Sequence, residues 1–275
     1  MHVFYAQGGG LGHLTRINKL IKTLEIPNSD VLIITPSAFT KYFEVYTFVK
    51  ISWNETVGNW SKTIKNTIKY HNITTFYVDT FPFGIKGELN TVYKTFPKLE
   101  YVYISRLLKW QNYLDSILVK ASIKFSKTIV LEVMYPEHMI WIENNSKKTE
   151  NILLQNNNIS SIPFLDKPYV LIVHSGGKKD VLKICNQAIK EYQNKPEIVI
   201  VVFTQVDINI KDSRILIYKD VFPVSMYFKH AEKIYTAAGF NSIQELKHYK
   251  EKHVAIPLYK LFDDQFFRCS NSFKD

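Results

Sequence analysis

The chain has 275 residues, 46 % of them hydrophobic and 22 % charged, with a formal net charge of +10. That length supports a sizeable core near the size at which cores divide in two, and no apolar run reaches the roughly 18–20 residues of a membrane span. The N-terminus lacks a signal-peptide pattern, Cys185 and Cys269 obey no metal-ligand spacing, and no zinc-finger, RNP-type or helix-turn-helix pattern occurs. A reducing, cytoplasmic setting is therefore expected, with anionic partners such as nucleotide diphosphates or anionic lipid and no nucleic acid.

Strands are predicted at 2–6, 31–35, 48–52, 75–79, 101–105 and 128–133, with helices near 14–25, 38–45, 59–71, 84–95 and 107–122. Such alternation predicts a parallel sheet covered by helices. From Asn144 to Pro168 the pattern breaks into Asn, Ser, Lys and Pro, which reads as a linker. Strands then resume at 169–173, 198–204, 214–218, 233–237 and 253–257. The expected fold class is α/β, with two doubly wound, Rossmann-like domains at 1–150 and 165–275 facing a cleft.

Each half begins with strand, glycine turn and helix. In the first, Gly8-Gly9-Gly10-Leu11-Gly12-His13 leads into a helix starting at His13 or Leu14, with Leu14, Ile17, Leu20, Ile21 and Leu24 at helical spacing. In the second, Ser175-Gly176-Gly177 precedes a helix bearing Val181, Leu182, Cys185, Ala188 and Ile189. Glycines at such junctions let backbone N–H groups approach a ligand, and the helix N-terminus adds positive potential. Neither common glycine motif is present. A dinucleotide fingerprint anchored on Gly8 and Gly10 needs a small residue where His13 stands, and Gly177-Lys178 is followed by Lys179 rather than Ser or Thr.

Taken in order, these motifs resemble GT-B-type glycosyltransferases, in particular the group of the lipid-linked N-acetylglucosaminyltransferase of peptidoglycan synthesis. The likeness also rests on Asp79-Thr80-Phe81-Pro82-Phe83-Gly84, Ala238-Gly239-Phe240-Asn241-Ser242-Ile243-Gln244-Glu245, and Ile256-Pro257 followed by Asp263-Asp264-Gln265. It implies an acceptor-side first domain and a nucleotide-sugar-binding second domain. The function implied is metal-independent, inverting transfer of a sugar, N-acetylglucosamine in the resembling group, from a UDP-sugar to an acceptor hydroxyl. No cofactor is implied beyond that donor, and no Asp-x-Asp metal ligand occurs. A UDP-sugar hydrolase, similar to the one of pseudaminic acid synthesis, and a non-catalytic nucleotide-sugar-binding subunit are the alternatives.

The resemblance assigns roles residue by residue. His13 would be the base, and a helix N-terminus would keep its imidazole neutral; the plainer role is a helix cap or turn filler. Arg16, one turn on, would meet an acceptor phosphate or lie in solvent, and Asp79 would face the acceptor or simply shape a turn. Gly10, Gly12, Ser175, Gly176, Gly177, Gly239, Phe240 and Asn241 would bind the nucleotide sugar. Glu245 would hold ribose, although Ser242-x-x-Glu245 is also a capping box. Asp264 and Gln265 would bind the sugar, with Asp263 capping the next helix. Residues 220–226 would line the base, with Phe222 and Met226 in apolar contacts. The resembling enzymes continue further past this motif than Asp275, and a partner subunit could supply that part.

One segment bears on the acceptor. Across Asn59–His71, Trp60, Ile64 and Ile68 fall on one helical face and Lys62, Lys65 and Lys69 on another. Two readings follow: a peripheral contact with the inner face of a membrane, serving a lipid-linked acceptor, or an ordinary helix with its apolar face in the core.

Overall fold

Strand β1 (His2–Tyr5) is an inner strand of the first half, pairing in parallel with β2 (Val31–Thr35) on one side and β4 (Thr75–Asp79) on the other. All residues of β2 and β4 are buried, as expected of strands covered on both faces. The computed structural model describes residues 1–118, 122–156 and 159–272. It divides the chain into one unit of Met1–Gln155 with Leu261–Asp263, and another of Asn156–Lys260 with Asp264–Asp275.

With β3 (Thr47–Lys50), β5 (Glu100–Ser105), β6 (Lys127–Val130) and β7 (Thr149–Asn151), the first sheet runs β3-β2-β1-β4-β5-β6-β7, entirely parallel. The chain order reverses between β1 and β4. In open parallel sheets, ligands bind beyond the carboxyl ends of the strands at such a point. Helix α1 (Leu11–Thr23) falls in the crossover from β1 to β2 and α2 (Val57–Tyr70) in that from β3 to β4, and α3 (Leu89–Thr95), α4 (Trp110–Ser116) and α5 (Pro136–Asn145) follow. Thr56 caps α2 by accepting from Asn59 N–H at 3.2 Å.

The second sheet repeats the plan with five parallel strands: β8 (Tyr169–His174), β9 (Val199–Thr204), β10 (Ile215–Tyr218), β11 (Ile234–Ala237) and β12 (His253–Ile256). Its order is β10-β9-β8-β11-β12, so the reversal lies between β8 and β11. Helix α6 (Lys178–Glu191) packs Val181, Ile184, Cys185 and Ala188 against this sheet, while α7 (Phe240–Glu245) and α8 (Gln265–Ser272) follow β11 and β12.

Several elements differ from the sequence expectation. Helix α1 starts at Leu11, because Gly10 adopts the extended N-cap conformation. The predicted helix at 38–45 is a short 3-10 turn, Ala38–Tyr42. The predicted helix at 84–95 begins only at Leu89, since Gly84 and Gly87 have positive φ and the Glu88 carboxylate ties down Ile85 N–H and Lys86 N–H. Helix α4 ends at Ser116, and residues 119–121 of its predicted span lie outside the described residues. Helix α5 went unpredicted, although Pro136 suits a first helical turn. Strand β7 lies inside the stretch that reads as a linker; Asn157 and Asn158 of that stretch lie outside the described residues.

Helix α2 answers the question raised by its composition. Trp60 and Ile64 are fully buried and Ile68 nearly so, all within the first core, while Lys62 and Lys69 are exposed. The apolar face is occupied by protein, so it cannot lie on a membrane as well. Among the described residues, no helix is long and apolar enough to cross a membrane.

Candidate active site

The residues after β1 and β4 meet at the reversal point of the first sheet. His13 and Arg16 lie three residues apart on α1, hence on one face, and both reach Asp79, the last residue of β4. His13 Nδ1 is 2.5 Å from Asp79 Oδ2. Arg16 donates from Nε to Asp79 Oδ1 at 2.8 Å and from Nη2 to Asp79 Oδ2 at 2.6 Å, a two-pronged pairing that fixes the carboxylate plane. Asp79 is fully buried, Arg16 is 3 % exposed and the His13 side chain 16 %.

Burial alone would raise the Asp79 pKa, but Arg16 and His13 more than reverse this and hold it well below the usual carboxylate range. Ionised Asp79 can only accept, so His13 carries its proton on Nδ1. Arg16 Nη2 also lies 3.1 Å from His13 Nδ1, but the shorter carboxylate contact decides the tautomer. Nε2 is left as the basic nitrogen. Burial lowers the His13 pKa, Asp79 opposes that, and Arg16 and Arg106 reinforce it. A neutral imidazole with a lone pair on Nε2 and a buried carboxylate behind it is equipped to take a proton.

Gly8 is shaped by this ring. A Cβ there would stand 2.1 Å from His13 Cδ2 and 2.3 Å from Nε2. Gly8→Ala is therefore expected to displace the imidazole and lower turnover by about 10²-fold, the cost of roughly an ångström of misplacement. Steady-state kinetics beside a thermal melt checks this; unchanged turnover would show that the ring position is immaterial.

Thr80 continues the network. Its φ of +68° lies in the left-handed region, costing a β-branched residue about 1–3 kcal/mol. Surrounding bonds hold it there: Thr80 N–H donates to Ile104 O (2.9 Å) and Tyr103 Oη donates to Thr80 O (2.8 Å). The hydroxyl accepts from Arg16 Nη2 (2.8 Å) and Arg106 Nε (3.2 Å) and donates to Asp79 Oδ1 (3.3 Å).

Sequence expectations for these three residues need amendment. Arg16 does not lie in solvent, because its guanidinium closes on Asp79 and Thr80. The Asp79 carboxylate does not shape the turn; it accepts from His13, Arg16 and Thr80, while the turn bond, from Phe81 N–H at 2.8 Å, goes to the Asp79 backbone carbonyl. Nor does His13 cap its helix, since the N-cap is Gly10 and no side chain caps it. Gly10 and Gly12 belong to the first unit, and the other residues expected to bind the nucleotide sugar belong to the second.

In the second unit, the two glycine turns follow the adjacent strands β8 and β11. Gly177 is the N-cap of α6 and Gly239 that of α7, both extended and without a side-chain cap. His174 leans over the first turn: a Cβ on Gly176 would stand 2.4 Å from its Nε2. Asp180, in the first turn of α6, pairs with Lys260 and lies 3.7 Å from His174 Nε2. Burial, then Lys260, pushes His174 down to about 4, so the ring is neutral near pH 7. Arg268, 3 % exposed, donates from Nη1 to Ala238 O at 2.9 Å, bracing the turn before Gly239.

The capping-box alternative for Glu245 is not met, because α7 starts at Phe240 and Glu245 is its last residue. Asp264, rather than Asp263, caps α8: its Oδ1 accepts from Phe267 N–H at 3.0 Å. Gln265 is buried, and its Oε1 accepts from Leu258 N–H at 3.0 Å. Asp263 belongs to the first unit, where it pairs with Arg106 at 2.6 Å. Phe222 and Met226 are half-buried. Sequence reasoning assigned no role to Thr80, Arg106, His174 or Arg268. For Arg106 and His174, the available signal was their place at the carboxyl end of a predicted strand.

No protein-family model and no curated protein sequence matches the chain. Solved structures do. The chain is similar to the glycotransferase of kitacinnamycin, with a TM-score of 0.65 and 13 % identity over 98 % of this chain and 83 % of that one. The S. aureus MnaA–UDP co-structure matches at 0.63 and 12 %, over 94 % and 80 % of the two chains. MurG of Acinetobacter baumannii matches at 0.55 and 11 %, over 98 % and 82 %. At such identities the likeness is one of fold. The chain has the GT-B fold, two parallel Rossmann-like sheets with flanking helices.

Proposed function

We propose that the protein is a glycosyltransferase that moves a sugar from a UDP-sugar to an acceptor hydroxyl, with inversion and without a metal ion. The observation that carries this is the buried His13–Asp79–Arg16 cluster at the reversal point of the first sheet. Two buried charges there cost the fold more in desolvation than an apolar packing would, which favours a chemical purpose. His13 Nε2 takes the acceptor proton as the acceptor oxygen attacks the anomeric carbon. The glycosidic C–O electron pair leaves with UDP, and Asp79 stabilises the imidazolium.

Support on the donor side is twofold: UDP is the ligand of the similar S. aureus MnaA structure, and two glycine turns follow adjacent strands at the second reversal point. The Ser175–Gly177 and Gly239–Asn241 turns hold the diphosphate through backbone N–H groups, which replace a metal in stabilising the leaving group. Glu245 binds ribose, and the start of α8 at Asp264 contacts the sugar, N-acetylglucosamine by the sequence resemblance.

Titration calorimetry with UDP in the presence of a chelator tests this, with binding expected to be undiminished. A ligand at ~100 Kd also adds about 2.7 kcal/mol of stability, visible in a melt. Binding abolished by chelation would overturn metal independence. UDP release from a UDP-sugar that proceeds at full rate with no acceptor would make the protein a hydrolase.

A further inference from the structure

The cluster around His13 extends beyond the residues that the proposed chemistry uses. Arg106 follows β5, the strand beside β4, and is 9 % exposed. It bridges Thr80 and Asp263, donating from Nε to Thr80 Oγ1 at 3.2 Å and from Nη1 to Asp263 Oδ1 at 2.6 Å. Thr80 Oγ1 is thereby saturated, with two guanidinium donors on its lone pairs and its own proton directed to Asp79. We propose that Arg106 is a positioning residue for His13: anchored at its far end by Asp263, it fixes the Thr80 hydroxyl and so keeps Arg16, Asp79 and His13 in register. This inference rests on the reading of His13 as the base.

The arrangement also balances charge. Arg16 and Arg106 offset Asp79 and Asp263, and the set is neutral only while His13 is neutral. The groups bearing on His13 are Arg16 from its own helix, Asp79 and Thr80 from the end of β4, and Arg106 beyond β5. Tyr103 acts on Thr80 and Asp263 on Arg106. Arg106 opposes protonation of His13, and Asp263 tempers that opposition. A scaffold role would look different. Lys109 N–H donates to Phe262 O, and the Phe262 ring packs on Phe81 and Tyr113, so the segment beside Asp263 is held without Arg106.

The test is NMR titration of the His13 imidazole, assigned by its loss in His13→Gln, which needs no substrate. Arg106→Gln should move the His13 pKa upward and Asp263→Asn should move it downward. The double variant should return toward the parent value. Arg106→Lys keeps the charge but cannot span both partners, so its His13 pKa should stay near the parent value. With turnover measured, the same variant should lose about 10–10²-fold in kcat with KM for the donor unchanged. Shifts of one sign in both single variants, or none, would overturn the proposal; so would full kcat in Arg106→Lys. Should Arg106→Gln not fold, Asp263→Asn and Arg106→Lys decide alone. An inactive parent enzyme whose His13 titrates as described would count against the transferase reading and not against this network.

Discussion

Replacing His13 by alanine should lower turnover about 10²–10⁴-fold, the usual contribution of a general base, while leaving UDP affinity within twofold. The binding elements proposed for UDP lie in the second unit, and His13 in the first. Stability should change little, because Asp79 keeps both bonds from Arg16 when the imidazole is gone. Asp79→Asn is the informative contrast. It leaves the buried Arg16 charge without the Asp79 carboxylate, a loss of about 3–5 kcal/mol, and it removes the group proposed to stabilise the imidazolium. Both variants should be slow, but only Asp79→Asn should also melt early. Kinetics, calorimetry with UDP and urea unfolding on the pair separate these effects. Normal turnover in His13→Ala would remove His13 from the mechanism, whatever the behaviour of Asp79→Asn.

The parallel sheets were legible because buried strands read as unbroken apolar runs, Val31–Ile34 and Tyr169–Val173 among them, separated by helical spacing. Strand β7 was not. Thr149–Asn151 is a polar edge strand whose place depends on pairing with β6, which no local pattern encodes. Among site residues, the glycine run announced His13, but its partner Asp79 is 66 residues away. Each had to be weighed alone, and alone each had an ordinary alternative. The Arg106–Asp263 pair spans 157 residues and lay wholly beyond sequence reasoning. In α2 the pattern of Trp60, Ile64 and Ile68 was correctly seen, but amphipathicity does not tell which apolar partner fills the face.

Acid should begin to destabilise this protein above the pH range in which its carboxylates titrate, because three histidines are held neutral by burial. His138 is pushed down to about 3, and His174 and His253 to about 4 each. His138 shows why. Its ring stacks on Trp110 at 4.1 Å, and its Nε2 lies 3.2 Å from Tyr103 Oη. The Tyr103 proton is already given to Thr80 O, so His138 must donate from Nε2, leaving Nδ1 bare and buried without a partner. Protonating Nδ1 would bury a charge with nothing to receive its hydrogen. The unfolded imidazole titrates near 6.5, so below that pH the unfolded chain binds a proton that the native state refuses. Stability falls as pH drops through the window from about 6.5 to 3, by about 1.4 kcal/mol per pH unit for His138. His174 and His253 add to the slope down to about 4. Urea unfolding at pH 7, 6 and 5 measures that slope directly. His138→Phe can still stack on Trp110 and removes the titrating nitrogen. It should lower stability at pH 7 by about 1 kcal/mol through the lost bond to Tyr103, yet flatten the slope by about 1.4 kcal/mol per pH unit. A variant whose slope equals the parent's would mean that His138 is protonated in the folded protein. Since Tyr103 also holds Thr80 O, such a protonation would be felt at the His13 cluster.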